Sequence, residues 1–245
     1  MTRVELYGRT GLDIYEKAHY ARCEHIEEVR QIVSWLPEGG RRRVLDIGCS
    51  AGLHALEFVR RGYILTGIDL EPFAIARARG RSRRLGLSAR FTVFDIARDD
   101  FSRLGEFDFI YSIGNVLSHI DKRELPGVMK RIASRLAPGG SLLLDLLIKG
   151  SPFRTRIKDD YHRILWQRTL DEATGRIAMN GYFTDFGLDQ HFDVWGYSVG
   201  EARGIIESAG LVADGVSDRL DFSTAGTEES NPFCLNFRAR ALEGG

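Results

Sequence analysis

The stretch Val44-Leu45-Asp46-Ile47-Gly48-Cys49-Ser50-Ala51-Gly52 reads as a strand running into a tight turn. Val44 to Ile47 is apolar but for Asp46, the pattern of a strand covered on both faces of a parallel sheet. Gly48 and Gly52 bound a turn in which the backbone is free to take left-handed conformations and to approach a ligand closely. Leu53 to Arg61 then carries a helical pattern that stops at Gly62. Strand, glycine turn and helix, in that order, open a β-α-β unit.

The alternation continues outward. Tyr63 to Ile68, Phe91 to Phe94, Phe107 to Ile113 and Ser141 to Ile148 read as further strands. Pro72 to Leu85, with proline in its first turn, and Asp121 to Leu136, closed by Pro138-Gly139-Gly140, read as the helices between them. Upstream, Arg22 to Leu36 sets Ile26, Val29, Ile32, Val33 and Leu36 on one helical face before Pro37 to Gly40 ends it. After Lys149 the rhythm changes. Tyr161 to Leu170, Arg176 to Thr184 and Gln190 to Trp195 read as three antiparallel strands. Ser198 to Ala209 is a helix with a serine cap, and Leu211 to Val216 and Phe233 to Ala239 supply the last two strands.

The expected fold class is therefore α/β: a Rossmann-like, doubly wound, mostly parallel seven-stranded sheet, with a small antiparallel insertion after strand five. Residues 1–40 form an N-terminal helical cap segment and 41–150 the nucleotide-binding core. Residues 151–197 form the insertion and 198–245 complete the core sheet.

Composition narrows the function classes. The chain has 245 residues, 43% hydrophobic and 28% charged, and 34 basic against 34 acidic side chains. A balanced charge does not favour nucleic acid as a partner. Arg41-Arg42-Arg43 and the helix carrying Arg77, Arg79, Arg81, Arg83 and Arg84 read as solvated faces, without the aromatics of a single-strand platform. Cys23, Cys49 and Cys234 have neither metal-ligand spacing nor an even count, so no metal is expected and a reducing cytoplasm is the natural setting. Leu142 to Ile148 is too short to span a membrane and is broken by Asp145. Oligomeric state is open, a homodimer being allowed.

In a doubly wound sheet the crevice at the carboxyl ends of the strands takes the ligand. Asp69 ends the second strand, where a carboxylate accepts the hydroxyls of a ribose. A nicotinamide dinucleotide would use the same place. The turn, however, reads G-x-x-x-G with Ser50 where a second glycine belongs, and Asp46 is awkward beside a pyrophosphate. Beside an ammonium and a sulfonium it is favourable, because opposite charges attract strongly in a partly dry cleft.

VLDIGCSAG resembles the first motif of class I S-adenosylmethionine-dependent methyltransferases, written D-x-G-x-G-x-G, with Ser50 as the departure. ILTGIDLE is similar to the second motif, FTVFDI to the third, FDFIYSIGNVLSHI to the fourth and LAPGGSLLLDL to the fifth. The resemblance covers roughly 7–147 and implies S-adenosyl-L-methionine as cofactor, S-adenosyl-L-homocysteine being the product. It assigns the cofactor to Asp46, Gly48, Cys49, Ser50, Gly52, Asp69, Leu70, Asp95, Ile96, Ser112 and Tyr15. Asp69 would hold the ribose and Asp95 the adenine amino group.

The acceptor side is read more coarsely. Ser112-Ile113-Gly114-Asn115 lacks the N/D-P-P-Y/F motif of base-amino methyltransferases. Gly114 to His119 is similar to the glycine N-methyltransferase and sugar-amine N-methyltransferase group, which also has a tyrosine-bearing N-terminal segment and an antiparallel cover. That likeness points Tyr15, Asn115 and His119 at the methyl group and acceptor, with His119 as general base. In the insertion, Arg154, Arg156, Arg163 and Trp166 are candidates for binding a small anionic or aromatic acceptor. The expected reaction is methyl transfer to a nitrogen or oxygen of a small molecule. The rivals are an NAD(P)-dependent oxidoreductase and a non-catalytic S-adenosylmethionine-binding regulatory module.

Overall fold

A computed structural model describes residues 11–13, 24–36, 42–149, 156–159, 164–184, 188–227 and 234–242. After α1 (Glu24–Val33), strands and helices alternate: β1 (Arg43–Ile47), α2 (Leu53–Arg60), β2 (Ile64–Asp69), α3 (Pro72–Arg84), β3 (Arg90–Val93) and β4 (Phe107–Ser112). A 3-10 turn (Val116–His119) and α4 (Leu125–Ala133) lead to β5 (Leu136–Leu147). Strands β6 (Arg156–Asp159), β7 (Ile164–Leu170), β8 (Arg176–Phe183) and β9 (Leu188–Trp195) precede α5 (Val199–Ser208), β10 (Leu211–Ser217) and β11 (Cys234–Ala241).

The main sheet has seven strands in the order β10-β11-β5-β4-β1-β2-β3. β1 pairs in parallel with β2 on one side and β4 on the other, so the strand order reverses at β1. That reversal opens a crevice at the strands' carboxyl ends. β11 runs antiparallel along β5 from Ser141 to Leu147, and β10 along β11.

Because successive side chains alternate across a strand, the sheet feeds two apolar layers. Leu45, Ile110, Leu142 and Leu144 face α4 and α5; Val44, Phe109, Tyr111 and Leu143 face α1 and α2. On the second face Phe58 of α2 stacks on Tyr111 with ring centroids 5.0 Å apart. At about 25 cal/mol per Å², burial of such side chains supplies most of the drive to fold. α5 begins as the sequence indicates. Ser198 Oγ accepts from Glu201 N–H, and the Glu201 carboxylate accepts from Ser198 N–H, a reciprocal cap.

Two elements depart from the sequence reading. The helix expected over 121–136 occupies only Leu125–Ala133, because Asp121 folds back onto Arg123 N–H in a separate turn and Leu136 already pairs with Phe107 of β4. Pro138-Gly139-Gly140 is accordingly a bulge within β5, with Gly139 at φ +71° and the register shifting between Phe107 and Phe109. The insertion has four strands, in the order β6-β7-β8-β9, rather than three. The added strand, Arg156–Asp159, has too few residues to show alternation in sequence.

Candidate active site

Gly48, Ser50 and Gly52 all have positive φ, at +79°, +48° and +78°. Left-handed backbone at three alternate positions bends the turn sharply, and Gly48 and Cys49 N–H both donate to Ile68 O of β2, at 2.8 and 3.0 Å. A Cβ on Gly48 would run into Val116, and one on Gly52 would lie 2.9 Å from Phe91 Cζ, so neither position has room for a side chain. Cys49 is buried against Gly67, its thiol pushed well up by burial, which leaves it without nucleophilic character.

Two carboxylates stand at neighbouring strand ends. Asp46 is 4% exposed, and burial pushes its carboxyl up to about 7, against the lowering influence of Tyr111 and His54. His54 lies in the first turn of α2, held by Glu28 of α1 at 2.6 Å. Asp69 bridges two loops: Oδ2 accepts from Ser50 N–H at 2.8 Å and Oδ1 from Glu71 N–H at 2.9 Å. Burial raises Asp69 as well, with the Glu71 and Ser50 amides pulling the other way. Beside it Leu70 is 60% exposed, an apolar side chain left open at the crevice mouth. Past β3, the Asp95 carboxylate accepts from Ala97 N–H and Arg98 Nη1, both at 2.8 Å. Burial works to raise it, but Arg98 and the Ala97 amide prevail and hold it below the usual carboxylate range. Ile96 packs against the core, and its carbonyl accepts from Arg131 at 3.0 Å.

The far wall follows β4. Ser112 is fully buried and its hydroxyl donates to Ile47 O at 3.2 Å, tying β4 to β1. Gly114 and Asn115 then turn left-handed, at φ +88° and +62°. Asp145 of β5 holds that turn: Gly114 N–H donates to Oδ2 and Asn115 N–H to Oδ1, both at 2.9 Å. Burial raises the Asp145 carboxyl to about 6, opposed by those two amides. Val116 carries the turn back over Gly48, Ser118 Oγ accepts from Leu147 N–H at 3.0 Å, and His119 meets Phe192 of β9 with ring centroids 5.4 Å apart.

Asp46, Gly48, Ser50 and Asp69 meet at the ends of β1 and β2, and the turn that begins at Asn115 reaches Gly48 through Val116, while His119 lies against Phe192 and Asp95 and Ile96 sit on the loop after β3. Trp166 is 7% exposed, lies over Gly181 and meets Phe192 edge-on at 5.8 Å, so it offers an acceptor little surface. Tyr15, Arg154 and Arg163 lie outside the described residues; Arg156 opens β6. Just before Tyr15, Leu12 packs with Ala51 and Ala74, and Asp13 pairs with Arg77 at 2.6 Å, seating 11–13 on the first turn and α3.

Of the basic helix, Arg77 binds Asp13, Arg79 the Phe91 carbonyl and Arg81 the Ala51 carbonyl, so part of its charge is used within the fold. Asp145, His54 and Glu28 were missed in sequence. Asp145 had a signal, a lone acid in an otherwise apolar strand; His54 and Glu28 meet only through helix packing. Among the described residues no group of three or more His, Cys, Asp or Glu could hold a metal ion, and no helix is long and apolar enough to cross a membrane.

The acids fit a positively charged nucleoside: a cation would relieve the cost of the buried Asp46 and half-buried Asp69 carboxylates, and the glycine cradle admits its backbone-hugging end. A family model described as a methyltransferase domain matches residues 44–140. The ubiquinone biosynthesis O-methyltransferase of Xanthomonas axonopodis pv. citri is 32% identical over 117 residues, 48% of this chain and 48% of that protein. The glycine/sarcosine N-methyltransferase of Parasynechococcus marenigrum is 25% identical over 233 residues, 84% of this chain and 81% of that one. The chain spans about half or less of the length of the first curated relatives it matches. Among solved structures, an S-adenosylmethionine-dependent methyltransferase from Clostridium acetobutylicum superposes with a TM-score of 0.73 at 18% identity, covering 95% of this chain and 97% of that one. The S-adenosylmethionine-bound amino pentose methyltransferase CalS10 from Micromonospora echinaspora gives 0.68 at 19%, covering 94% and 97%. Residues 44–140 match the methyltransferase-domain model, and the chain around them has the fold of S-adenosylmethionine-dependent methyltransferases of known structure.

Proposed function

We propose that this chain transfers a methyl group from S-adenosylmethionine to a nitrogen or oxygen of a small-molecule acceptor by in-line displacement. The carrying observation is the pair of acids at adjoining strand ends, buried Asp46 and half-buried Asp69, both raised by partial or full loss of water. Asp46 takes the ammonium of the cofactor's amino-acid end. Asp69, already fixed by the Ser50 and Glu71 amides, takes the ribose hydroxyls. Leu70 lies against the base, and Asp95 is in place for the adenine amino group. The cofactor supplies an activated methyl and its own leaving group, so the protein's share is orientation and exclusion of water, worth ~7–11 kcal/mol for a well-aligned pair.

Asn115 and His119 line the acceptor side. An amine must lose its proton before attack and a hydroxyl during it; an imidazole, with an ordinary pKa of about 6.5, suits either task. The activities for which the Parasynechococcus and Xanthomonas relatives are named, glycine/sarcosine N-methylation and O-methylation in ubiquinone biosynthesis, support a small acceptor. A nicotinamide dinucleotide is disfavoured by Asp46, whose buried charge would face a pyrophosphate. The same reading keeps the protein in a reducing cytoplasm with a small molecule, not nucleic acid, as partner.

The test is incubation with methyl-labelled S-adenosylmethionine and a fractionated metabolite extract. The expected result is one labelled small product. Binding of S-adenosylhomocysteine with no labelled product in any fraction would point instead to a regulatory module. Thermal stabilisation by NAD but not by S-adenosylhomocysteine would sink the assignment.

A further inference from the structure

Asp46 and Tyr111 are Cα partners in the parallel register of β1 and β4. Partners in register share a face of the sheet, here the layer beneath α1 and α2 that also takes Val44 and Phe109. The Tyr111 ring is fully buried, stacked with its centroid 5.0 Å from that of Phe58 and 5.7 Å from that of Phe109. A phenylalanine would fill that place equally well. The hydroxyl is an addition that packing does not call for, and it has no hydrogen-bond partner among the described residues. A buried donor without an acceptor is costly, and native interiors rarely keep one without a reason.

The hydroxyl stands near Asp46. It lowers the Asp46 carboxyl, while burial and Asp46 push the phenol well above its ordinary range, so the phenol keeps its proton. The alignment nonetheless falls short of a hydrogen bond. The other titratable groups about Asp46 are committed elsewhere. His54 of α2 is held by Glu28 of α1, and the Cys49 thiol donates to Ser50 O at 3.7 Å. Asp69 of β2 accepts from two amides and disfavours a second negative charge beside it. Asp145 of β5, beyond β4, is taken by the Gly114 and Asn115 amides.

We propose that Tyr111 is a positioning residue of the cofactor site, its hydroxyl donating to the Asp46 carboxylate and holding that acid in the ionised form that grips an ammonium. The inference rests on the methyltransferase reading of Asp46 and adds the group that keeps a buried acid usable near neutral pH. A hydrogen bond to an ionised acceptor is the strong kind, and it favours the charged form against burial.

The test is calorimetric titration of the full chain with S-adenosylhomocysteine from pH 5.5 to 8.5, wild type against Y111F. Phenylalanine keeps both ring contacts, so Y111F without ligand is expected to melt no lower than wild type. Losing the hydroxyl raises the Asp46 carboxyl, so the climb of affinity with pH is expected to move up by about one unit. Affinity then falls about fivefold at pH 7 and recovers to within about twofold of wild type by pH 8.5. Binding of 5′-methylthioadenosine, which lacks the amino-acid end, is expected to be the same in both proteins. In the D46N background the Y111F change is expected to cost nothing further. An unmoved pH profile overturns the proposal. So does an equal loss for both ligands, a loss of the same size in the D46N background, or a Y111F that melts well below wild type, since each assigns the hydroxyl to general structure. A wild type that fails to bind S-adenosylhomocysteine overturns the cofactor reading itself, a separate and visible failure.

Discussion

Ser50 occupies a left-handed position that suits glycine better, at a cost of about 1–2 kcal/mol for an L-residue. What it gives the site is a backbone N–H to Asp69, which any residue retains. S50G is therefore expected to keep S-adenosylhomocysteine affinity within about threefold and to melt no lower than wild type. S50V, β-branched at positive φ, is expected to lose about tenfold or more in calorimetric affinity. Asp46 adds a pH signature. Its folded carboxyl is raised to about 7, so its contribution to the stability of the free protein is present at low pH and fades as pH rises through about 7. A bound ammonium reverses the preference, because it favours the ionised acid. Affinity for S-adenosylhomocysteine is expected to climb from pH 5.5 and level off above about 7, with proton release seen as buffer-dependent heat. D46N is expected to bind weakly and without that climb; an unchanged profile would remove Asp46 from the site. D69A is expected to abolish binding.

At the scale of elements, the strand-turn-helix rhythm was legible because each parallel strand is a short apolar run closed by glycine or proline. Where a strand is broken, that logic fails. Gly139 and Gly140 signal a stop in sequence but form a bulge in β5, since a Cβ on Gly140 would lie 2.8 Å from Ala137 O and only glycine lets the chain fold so closely. The same strand hid Asp145, whose purpose appears only when the turn after β4 is laid beside it. D145N is nearly isosteric, but its amide nitrogen would face a backbone donor, so at least one charge-assisted hydrogen bond of about 1.5–3 kcal/mol is lost. Turnover is expected to fall at least about tenfold through misplacement of Asn115 and His119, with S-adenosylhomocysteine affinity nearly unchanged. Equal losses in both would show a general folding role instead.

For the molecule as a whole, the turn from Gly48 to Gly52 and the acids Asp46 and Asp69 were readable as features of strand ends because they are built from consecutive residues. The acceptor half was not. His119 and Phe192 come together only through the docking of one sheet on another, which leaves no motif. The same separation shapes the expected effect of H119A: turnover with the labelled acceptor falls by about two orders of magnitude, within the range for a lost general base, while S-adenosylhomocysteine affinity stays put. An unchanged rate would take histidine out of the chemistry.

β11 lies along β5 from Leu147 to Ser141, and β5 is the strand that carries Asp145. A chain cut ahead of Cys234 would leave that central strand with a bare row of amides and carbonyls and an oily flank, ready to seize any passing strand. Such a shortened form is expected to drop out of solution in a sedimentation assay, however intact its first 150 residues are.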